Sequence, residues 1–419
     1  MQESPAQAIA TSVKGECSNL VLVRKGCVGA VLLIAVAHGE SAHADPLRLR
    51  GDGYVQTPRP VGLLVLQGQD TARPWLSAEG LAWLGSGQPS TFADSTGDVL
   101  TMVVRLHDPK GHGDLRAGRF LEATGAIRPL HLDGASGLAR TPWGTSVEAF
   151  GGVPVVARFG DRAFDWAVGG RLAQSIAERA TVGFAYVQRR DYGRIADEEV
   201  GVDFAAIPLP WLDVAARGSK DVVSPGITDA LVSVAARSRD LRLEVFGTRR
   251  SPSRLLPATS LFSVLGDVPS SRLGASVRWK AAPRLDLLAT SAAQMQDDRV
   301  GADATLRATL RTDEDGDGSL GLELRRQSVP GASWSGIRGI AVVPLKKGVL
   351  RGSTEIELAA PDEPDVAANR GSIWPWVLVA VTWRITPAWD MAVATEAGAT
   401  NTAKSELNAL MRASYAWGR

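Results

Sequence analysis

The stretch LNALMRASYAW, Leu407–Trp417, decides the fold class, because its side chains alternate in polarity. Successive side chains of a strand point to opposite faces. One face would carry Leu407, Ala409, Met411, Ala413, Tyr415 and Trp417, and the other Asn408, Leu410, Arg412, Ser414 and Ala416. The first face is apolar and ends in two aromatic residues, whereas the second is mostly small or polar. A strand of this kind fits the edge of a soluble sandwich, or a membrane barrel whose apolar face meets lipid.

Composition limits the function classes. The chain has 419 residues, of which 22% are charged and 45% hydrophobic, and its formal net charge is +1. This length and composition allow a large ordered fold and do not indicate disorder. Near-zero net charge and the lack of a basic tract argue against binding of nucleic acid.

Residues 1–44 are predicted to form a secretory signal peptide. Lys14, Arg24 and Lys25 are positive, residues 28–37 form an apolar run, and residues 42–44 (Ala-His-Ala) have the small-x-small form of a cleavage site. The alternative is an N-terminal membrane anchor. Cys17 and Cys27 both precede this cleavage site, so the mature chain would contain no cysteine and no disulfide. No later segment has the length of apolar residues that a transmembrane helix needs.

The remaining chain divides at residue 75. Residues 45–74 contain Pro46, Pro58 and Pro60, and are either a periplasmic segment or a first strand. Residues 75–419 repeat short alternating segments between Gly, Pro, Asp and Ser clusters, most clearly at residues 100–107, 164–172, 200–205, 212–217, 241–246, 303–310, 320–325 and 353–358. A helix could be argued over residues 171–180, but its first half continues the strand alternation. The pattern predicts an all-β fold of about 18 antiparallel strands, within a range of about 16–20.

The predicted turns are of two lengths. Short ones are expected at residues 191–193, 238–240, 281–283, 346–348 and 386–387, and longer polar ones at residues 85–97, 251–270 and 360–372. Short turns at one end and long loops at the other are typical of bacterial barrels.

Charged residues recur in the middle of the polar faces, and this favours a barrel with a wet lumen over a sandwich. The predicted lumen-lining residues are Arg105, Arg171, Arg217, Arg242, Arg307, Arg325, Asp165, Asp203, Asp213, Glu244 and Glu323, with Arg237 and Arg278. The apolar faces are rich in Ala, Gly, Val and Leu, which suits lipid contact better than an interlocked core. Opposing charges across a pore tune selectivity, and an arginine excess favours anions. The alternative is that these charges pair with one another and stiffen or plug the barrel.

Tryptophan is unusually common, with 12 residues. Trp211, Trp374, Trp376, Trp389, Trp279, Trp383 and Trp417 fall near predicted strand ends, where barrels place aromatic girdles. Trp83 and Trp166 are interpreted instead as core residues.

The C-terminal strand and the stretch 116–152 resemble Gram-negative outer-membrane β-barrel proteins of porin-like size. That stretch contains Gly118-Arg119, Asp133-Gly134 and an expected strand at 145–150 followed by Gly151-Gly152. The chain departs from the family pattern in ending on Gly418-Arg419 rather than on an aromatic residue. The resemblance implies a transmembrane antiparallel up-and-down barrel in the outer membrane, embedded in its lipid bilayer, and porins often assemble as homo-oligomers.

The acidic turn at residues 312–318 is the sharpest candidate site. Asp313, Asp315 and Asp317 match the first half of a calcium loop. An EF-hand is excluded, because its twelfth position is Leu324 and a strand follows. The remaining hypotheses are a calcium-binding hairpin loop and a solvated acidic turn, and the second is preferred.

Histidine offers little support for catalysis. After residue 44 only His107, His112 and His131 remain, and a zinc site would need all three or carboxylate help. A membrane-embedded hydrolase would need a His–Ser arrangement, for example His107 with Ser136 or Ser146, but their spacing does not indicate one.

The sequence therefore predicts a porin-like channel that works by passive diffusion, without a catalytic step or cofactor. The alternatives are a barrel that exports polysaccharide or another cargo together with partner proteins, a membrane-embedded hydrolase, and a soluble secreted β-protein.

Overall fold

The computed structural model describes residues 47–57, 61–86, 97–155, 165–223, 226–251, 269–296, 299–328, 333–363, 373–398 and 406–417. The predicted signal peptide lies outside the described residues. Among the residues described, no helix has the length and hydropathy needed to cross a membrane.

The described residues form one antiparallel sheet of 22 strands, so the predicted number of about 18 was too low. The strands are β1 (Leu47–Thr57), β2 (Val61–Arg73), β3 (Leu76–Ser86), β4 (Gly97–His107), β5 (Gly113–Glu122), β6 (Leu130–Arg140), β7 (Thr145–Pro154), β8 (Trp166–Ile176), β9 (Ala180–Asp191), β10 (Arg194–Leu209), β11 (Leu212–Asp221), β12 (Gly226–Arg237), β13 (Leu241–Arg250), β14 (Ser270–Ala282), β15 (Leu285–Gln296), β16 (Arg299–Arg311), β17 (Ser319–Ser328), β18 (Trp334–Lys346), β19 (Leu350–Pro361), β20 (Trp374–Arg384), β21 (Trp389–Gly398) and β22 (Glu406–Trp417). β1 and β2 both precede residue 75 and belong to the same sheet as the later strands.

The first and last strands close the sheet into a barrel. β1 pairs with β22 from Leu49↔Trp417 to Thr57↔Ala409. On the inner side of this closure Ser414 donates a hydrogen bond to Asp52, and Arg50 Nε donates to Asp52 Oδ2 at 2.8 Å. Closure leaves no sheet edge, which is what lipid requires of a β-structure.

The apolar faces point outward and the charged faces inward. Leu172 on β8 and Phe184 on β9 are 55% and 52% exposed, while the alternating positions Ala173 and Ala185 are buried. In the C-terminal strand, Met411, Tyr415 and Trp417 are exposed, as the alternation predicted, and Ser414 is buried.

A tryptophan girdle surrounds one end of the barrel. Trp211, Trp279, Trp383, Trp389 and Trp417 lie at strand termini of that end, are roughly half exposed, and confirm the girdle for these residues. The prediction was wrong for Trp374 and Trp376, because register places both on the inner face opposite Ala359 and Glu357. It was also wrong for Trp166, which lies on the outer face rather than in a core.

The two ends of the barrel differ as predicted. The short-turn end contains both termini of the barrel and the connections that follow even-numbered strands, such as residues 177–179, where Ala177 and Glu178 have positive φ. The long-loop end contains the connections that follow odd-numbered strands, including residues 87–96 and 251–269. The two-residue turn at 192–193 lies at this long-loop end. Residues 171–180, where the strand alternation was preferred to a helix, form the end of β8, a turn and the first residue of β9.

Candidate functional site: a charged lumen and an inward-folded segment

By register, the predicted lumen-lining residues that lie in strands share the inner face of the barrel, and most of them are engaged in ion pairs; Asp165 lies in a bend just before β8. Arg217 Nε lies 3.1 Å from Asp229 Oδ2, Arg242 Nη2 lies 3.2 Å from Glu244 Oε2, and Arg307 Nε lies 3.3 Å from Glu323 Oε2. Other residues predicted to line the lumen also have partners: Arg105 pairs with Asp114, Arg325 with Glu323, Arg171 with Asp203 and Asp213 with Arg237, and Asp165 accepts a hydrogen bond from the Gly193 N–H. Most of these charges therefore have partners on the same strand or on nearby strands, as the alternative interpretation of paired lumen charges expected; whether the pairs stiffen the barrel stays a prediction.

The charges are not distributed evenly around the lumen. By register, carboxylates outnumber basic groups on the inner faces of β7 to β12, where the acidic residues are Glu148, Asp191, Asp197, Glu199, Asp203, Asp213, Asp221 and Asp229. Basic groups predominate on β13 to β18, where they are Arg242, Arg250, Arg272, Arg278, Lys280, Arg299, Arg307, Arg311, Arg325 and Arg338, against Glu244, Asp286, Asp303 and Glu323. We call these the acidic wall and the basic wall.

The connection between β5 and β6 folds into the lumen and covers part of the acidic wall. We call residues 123–129 the inner segment. Thr124, Ala126, Ile127 and Arg128 are all buried, although they lie in a connection between strands. Such burial indicates that the inner segment is a fixed part of the lumen rather than a solvated loop.

Apolar contacts hold one side of the inner segment. Ile127 and Leu130 share a buried cluster with inner-face residues of four neighbouring strands, namely Leu132, Phe150, Ala167, Ala185 and Val187. The inner segment also lies against Gly201 on β10, where the absence of a side chain provides the space that the segment occupies. A Cβ at this position would lie 3.1 Å from Ala126 Cβ and 3.3 Å from Ile127 Cγ2.

A buried ion-pair network holds the other side. Arg128 Nε donates to Glu199 Oε2 at 2.8 Å, and Arg128 Nη2 donates to Asp197. Asp197 also accepts from Arg189 on β9. Glu199 is 0% exposed, and a carboxylate removed from water to this degree requires a cationic partner.

The start of the inner segment requires glycine. Gly125 has φ +58°, and a Cβ there would lie 2.8 Å from Asp203 Oδ2 and 2.9 Å from Arg171 Cδ. The Arg171–Asp203 pair, with Nε 3.0 Å from Oδ2, therefore lies directly beneath this turn. Two residues predicted as pore lining thus support the inner segment instead of facing an open channel.

Sequence reasoning did not identify the inner segment. Its residues lie within the stretch 116–152, which resembled porins, but ATGAIRP reads as an ordinary turn between strands. The partner of Arg128 is 71 residues away along the chain, so no local pattern could reveal it.

The acidic turn at 312–318 lies at the short-turn end, between β16 and β17. Asp313 accepts the backbone N–H groups of Asp317 and Gly318 at 2.8 and 2.7 Å, and Asp315 pairs with Lys347. In the described part of the chain, no group of three or more His, Cys, Asp and Glu side chains is arranged to hold a metal ion. These contacts fit a solvated acidic turn. The calcium-binding loop stays a prediction, and the described residues show no cluster of oxygen ligands that matches it.

The histidines are dispersed. His112 Nδ1 contacts Asp108 at 3.0 Å, and His131 Nε2 contacts the Leu100 carbonyl oxygen at 2.5 Å. His107 lies on β4, whereas Ser136 and Ser146 lie on β6 and β7, so at least one strand separates them. Neighbouring strands are about 4.8 Å apart, which places His107 about 10 Å from the nearer serine and outside hydrogen-bond reach.

Comparison with known proteins supports the fold. No protein-family model matches the sequence, and no curated protein matches it. The translocation pore of the P pilus usher PapC superposes with a TM-score of 0.55 at 10% identity, covering 89% of this chain and 99% of the pore. PapC in the E. coli tip assembly intermediate PapC-PapD-PapK-PapG gives 0.52 at 9% identity, covering 91% of this chain and 62% of that chain.

A third structure is more distantly similar. Pseudomonas aeruginosa OccD3 (OpdP) is 11% identical, with a TM-score of 0.42 and coverage of 89% and 90% of the two chains. At identities near 10% such likeness concerns the fold alone. The likeness to the PapC translocation pore agrees with the closed barrel of paired strands, and an outer-membrane location agrees with this fold. The chain therefore has the fold of porin-like outer-membrane β-barrel proteins.

Proposed function

We propose that this barrel is an outer-membrane channel through which small polar solutes, preferentially anionic ones, diffuse along the basic wall without a catalytic step. The observation that carries the proposal is the difference in exposure between the arginines beneath the inner segment and two arginines of the basic wall. Arg189 and Arg171, beneath the inner segment, are 6% and 21% exposed, whereas Arg272 and Arg242 on the basic wall are 40% and 51% exposed. The inner segment thus narrows the lumen, and water reaches the basic wall.

A row of arginines supports the anion preference. Arg237 lies opposite Arg242 in register, and Arg242 lies opposite Arg278. Like charges directly opposite one another on a sheet are unfavourable, so an anion that binds between them gains affinity. Within the described residues, no carboxylate pairs with Arg278.

The basic wall also contains a cavity that a solute could contact. A cavity of about 520 Å³ lies toward the long-loop end and is lined by Phe246, Arg250, Arg272, Asp303 and Trp334, among others. Arg272 stacks over Phe246 at 5.5 Å, and its Nε donates to Asp303 Oδ1 at 3.2 Å, so the guanidinium is held in the wall of this cavity.

The test is single-channel recording of the purified mature protein in a planar bilayer with a salt gradient. We expect stepwise conductance with a reversal potential that indicates anion preference. Arg242→Gln with Arg278→Gln should reduce that preference. The matched control is Arg249→Gln on the same strand, whose side chain points to the outer face and should leave the reversal potential unchanged. Cation preference in the unmodified protein would refute the anionic part of the proposal.

The second candidate is a barrel that exports a cargo only together with partner proteins. Its support is the likeness of fold to the PapC translocation pore and the presence of a fixed segment inside the lumen. A correctly folded, heat-modifiable barrel that stays silent in bilayers would favour export over diffusion. Homo-oligomers would be tested by cross-linking in the same preparation.

A further inference from the structure

The cavity in the basic wall is lined by one strand after another. Six inner-face residues, one from each of β13 to β18, contact its volume of about 520 Å³: Thr248, Arg272, Gln294, Asp303, Gln327 and Trp334. Direct register partners join Thr248 to Arg272, Arg272 to Gln294, Asp303 to Gln327 and Gln327 to Trp334. Because the paired strands hold these side chains, the sheet fixes the spacing between them.

Two aromatic side chains of the cavity lie against glycines. A Cβ at Gly336 would lie 2.8 Å from Trp334 Cζ3, and a Cβ at Gly274 would lie 2.7 Å from Phe246 Cζ. Each ring thus occupies the space above a residue that has no side chain. An aromatic ring over a strand glycine packs one of its sides on the sheet, so both rings rest on the barrel wall.

The two rings differ in what covers their other side. Arg272 lies over Phe246, with its guanidinium carbon 5.5 Å from the ring centroid. Within the residues described, no cation and no second ring stacks on Trp334. Trp334 Nε1 donates to Gln327 Oε1 at 2.9 Å, which fixes the orientation of the indole. Held by this bond and by the sheet at Gly336, the indole offers its other side to the cavity.

Polar side chains around the cavity still have hydrogen-bonding capacity. In the described part of the chain, four of them have no side-chain hydrogen-bond partner: Thr248, Ser270, Gln294 and Thr305. The Gln327 side chain uses its oxygen for Trp334, and its NH₂ group is left to donate. Hydroxyl and amide groups both donate and accept, so this lining suits a ligand that does the same at several positions.

The charged residues of the cavity are already neutralised. Arg272 Nε donates to Asp303 Oδ1 at 3.2 Å, and Arg250 and Arg325 also pair with carboxylates. The Arg272–Asp303 pair therefore attracts no ion by net charge, but it places N–H donors beside carboxylate acceptors. Arg242, whose register neighbours are arginines, lies near the start of β13 at the other end of the wall. The cavity is thus chemically distinct from the row of arginines.

We propose that this cavity is a binding subsite for a sugar, whose pyranose ring stacks on Trp334. The sugar hydroxyls bond to Gln294, to Gln327 and to the Arg272–Asp303 pair. The C–H groups on one face of a pyranose carry partial positive charge, and the face of an indole is negative. A planar aromatic solute would also stack, but it would leave the polar lining without partners, which is unfavourable. The volume lies in the range of small-molecule sites.

The inference rests on the proposed channel, because a sugar reaches this site only through an open lumen. It adds a solute class to that proposal. Anions are attracted at the row of arginines, whereas the cavity near the long-loop end selects neutral polyhydroxylated rings.

The test is saturation-transfer NMR of the complete barrel in a detergent without a sugar headgroup. The probes are the methyl glycosides of glucose, galactose, mannose and N-acetylglucosamine, one at a time, with benzoate as the planar aromatic comparison. This measurement reports binding directly and does not require that the barrel conducts. We expect at least one glycoside to bind, with the strongest saturation at the C–H protons of one ring face.

Variants locate the binding at the cavity. Trp334→Ala should weaken the affinity about fivefold, as expected for the loss of one stacking contact, whereas Trp334→Phe keeps a ring and should retain most of it. Gln294→Leu should weaken binding by a few fold through lost hydrogen bonds. The matched control is Trp383→Ala in the outer girdle, which should leave the affinity unchanged.

The subsite and the channel fail separately. The subsite is overturned if no glycoside binds, if benzoate alone binds, or if Trp334→Ala and Gln294→Leu both bind as the unmodified protein does. A conducting barrel with any of these results keeps the diffusion channel. A silent barrel that binds a glycoside through Trp334 keeps the subsite and removes the channel. Heat modifiability on gels verifies that each variant is folded.

Discussion

Arg128→Ala is expected to release the inner segment from the acidic wall. Arg128 is 7% exposed, and the change removes the cation bound to Glu199, which is 0% exposed. Asp197 still pairs with Arg189 in this variant, so Glu199 is the carboxylate that loses its cationic partner. Removing one partner of a buried ion pair typically costs about 3–5 kcal/mol. Because release of the segment lets water reach Glu199, even the lower value shifts the equilibrium toward the released state by about 100-fold.

The assay is the rate at which a water-soluble maleimide labels Thr124→Cys. Thr124 is 1% exposed in the docked segment, so labelling reports the released population. We expect the rate to rise by about two orders of magnitude when Arg128→Ala is added. Single-channel conductance should rise as well, because the lumen widens.

Arg242→Ala in the same Thr124→Cys background is the matched control. Arg242 also pairs with a carboxylate, but it is 51% exposed, and ion pairs of that kind contribute only about 0–1 kcal/mol. Labelling in this control should not change. An unchanged rate in Arg128→Ala, in a barrel that is still folded, would refute the reasoning and show that the apolar cluster around Ile127 alone holds the segment.

Two further predictions concern space and protonation. Gly201→Val should displace the inner segment and raise the rate of Thr124→Cys labelling, because overpacking costs about 1–3 kcal/mol. Gly339→Val is the matched control and should not raise this rate, since no atom lies within 4 Å of its Cβ position. Equal labelling rates in the two variants would contradict the steric argument. The backbone N–H of Lys110 donates to Asp108 at 3.2 Å and, with His112, lowers the pKa of Asp108. The β4–β5 turn should therefore be stabilised above the ordinary carboxyl range and lose this contribution as pH falls through the lowered pKa, below about 4. The protection factor of the Lys110 amide, that is its exchange rate relative to the intrinsic rate at the same pH, should fall at low pH, and Asp108→Asn should show no such fall.

Local alternation was sufficient to predict the strands and their faces. Residues such as Arg105, Arg307 and Glu323 were assigned to the lumen from period-two patterning alone, and the structure places them there. This works because each strand has one face in lipid and one in water, so every strand carries the same two-sided pattern. For the same reason the tryptophan girdle was predictable where Trp lies on an outer face, and not for Trp374 and Trp376.

The number of strands was harder to predict from the sequence. Residues 45–74 were interpreted as a periplasmic segment or a single first strand, whereas they contain β1 and β2; prolines flank these strands, and glycines such as Gly51 and Gly53 interrupt the alternation of β1. The number of strands in a barrel is set by closure, here the pairing of β1 with β22, and not by any single segment.

The sequence by itself determined that this chain is an all-β, two-faced protein with a charged interior, because side-chain alternation is a local property of a strand. Only the tertiary structure decided how those charges are used. The Arg128–Glu199 contact spans 71 residues of the chain. Because it depends on the distance between segments far apart in the chain, whether an arginine lines the lumen or holds a segment is settled only when the barrel closes.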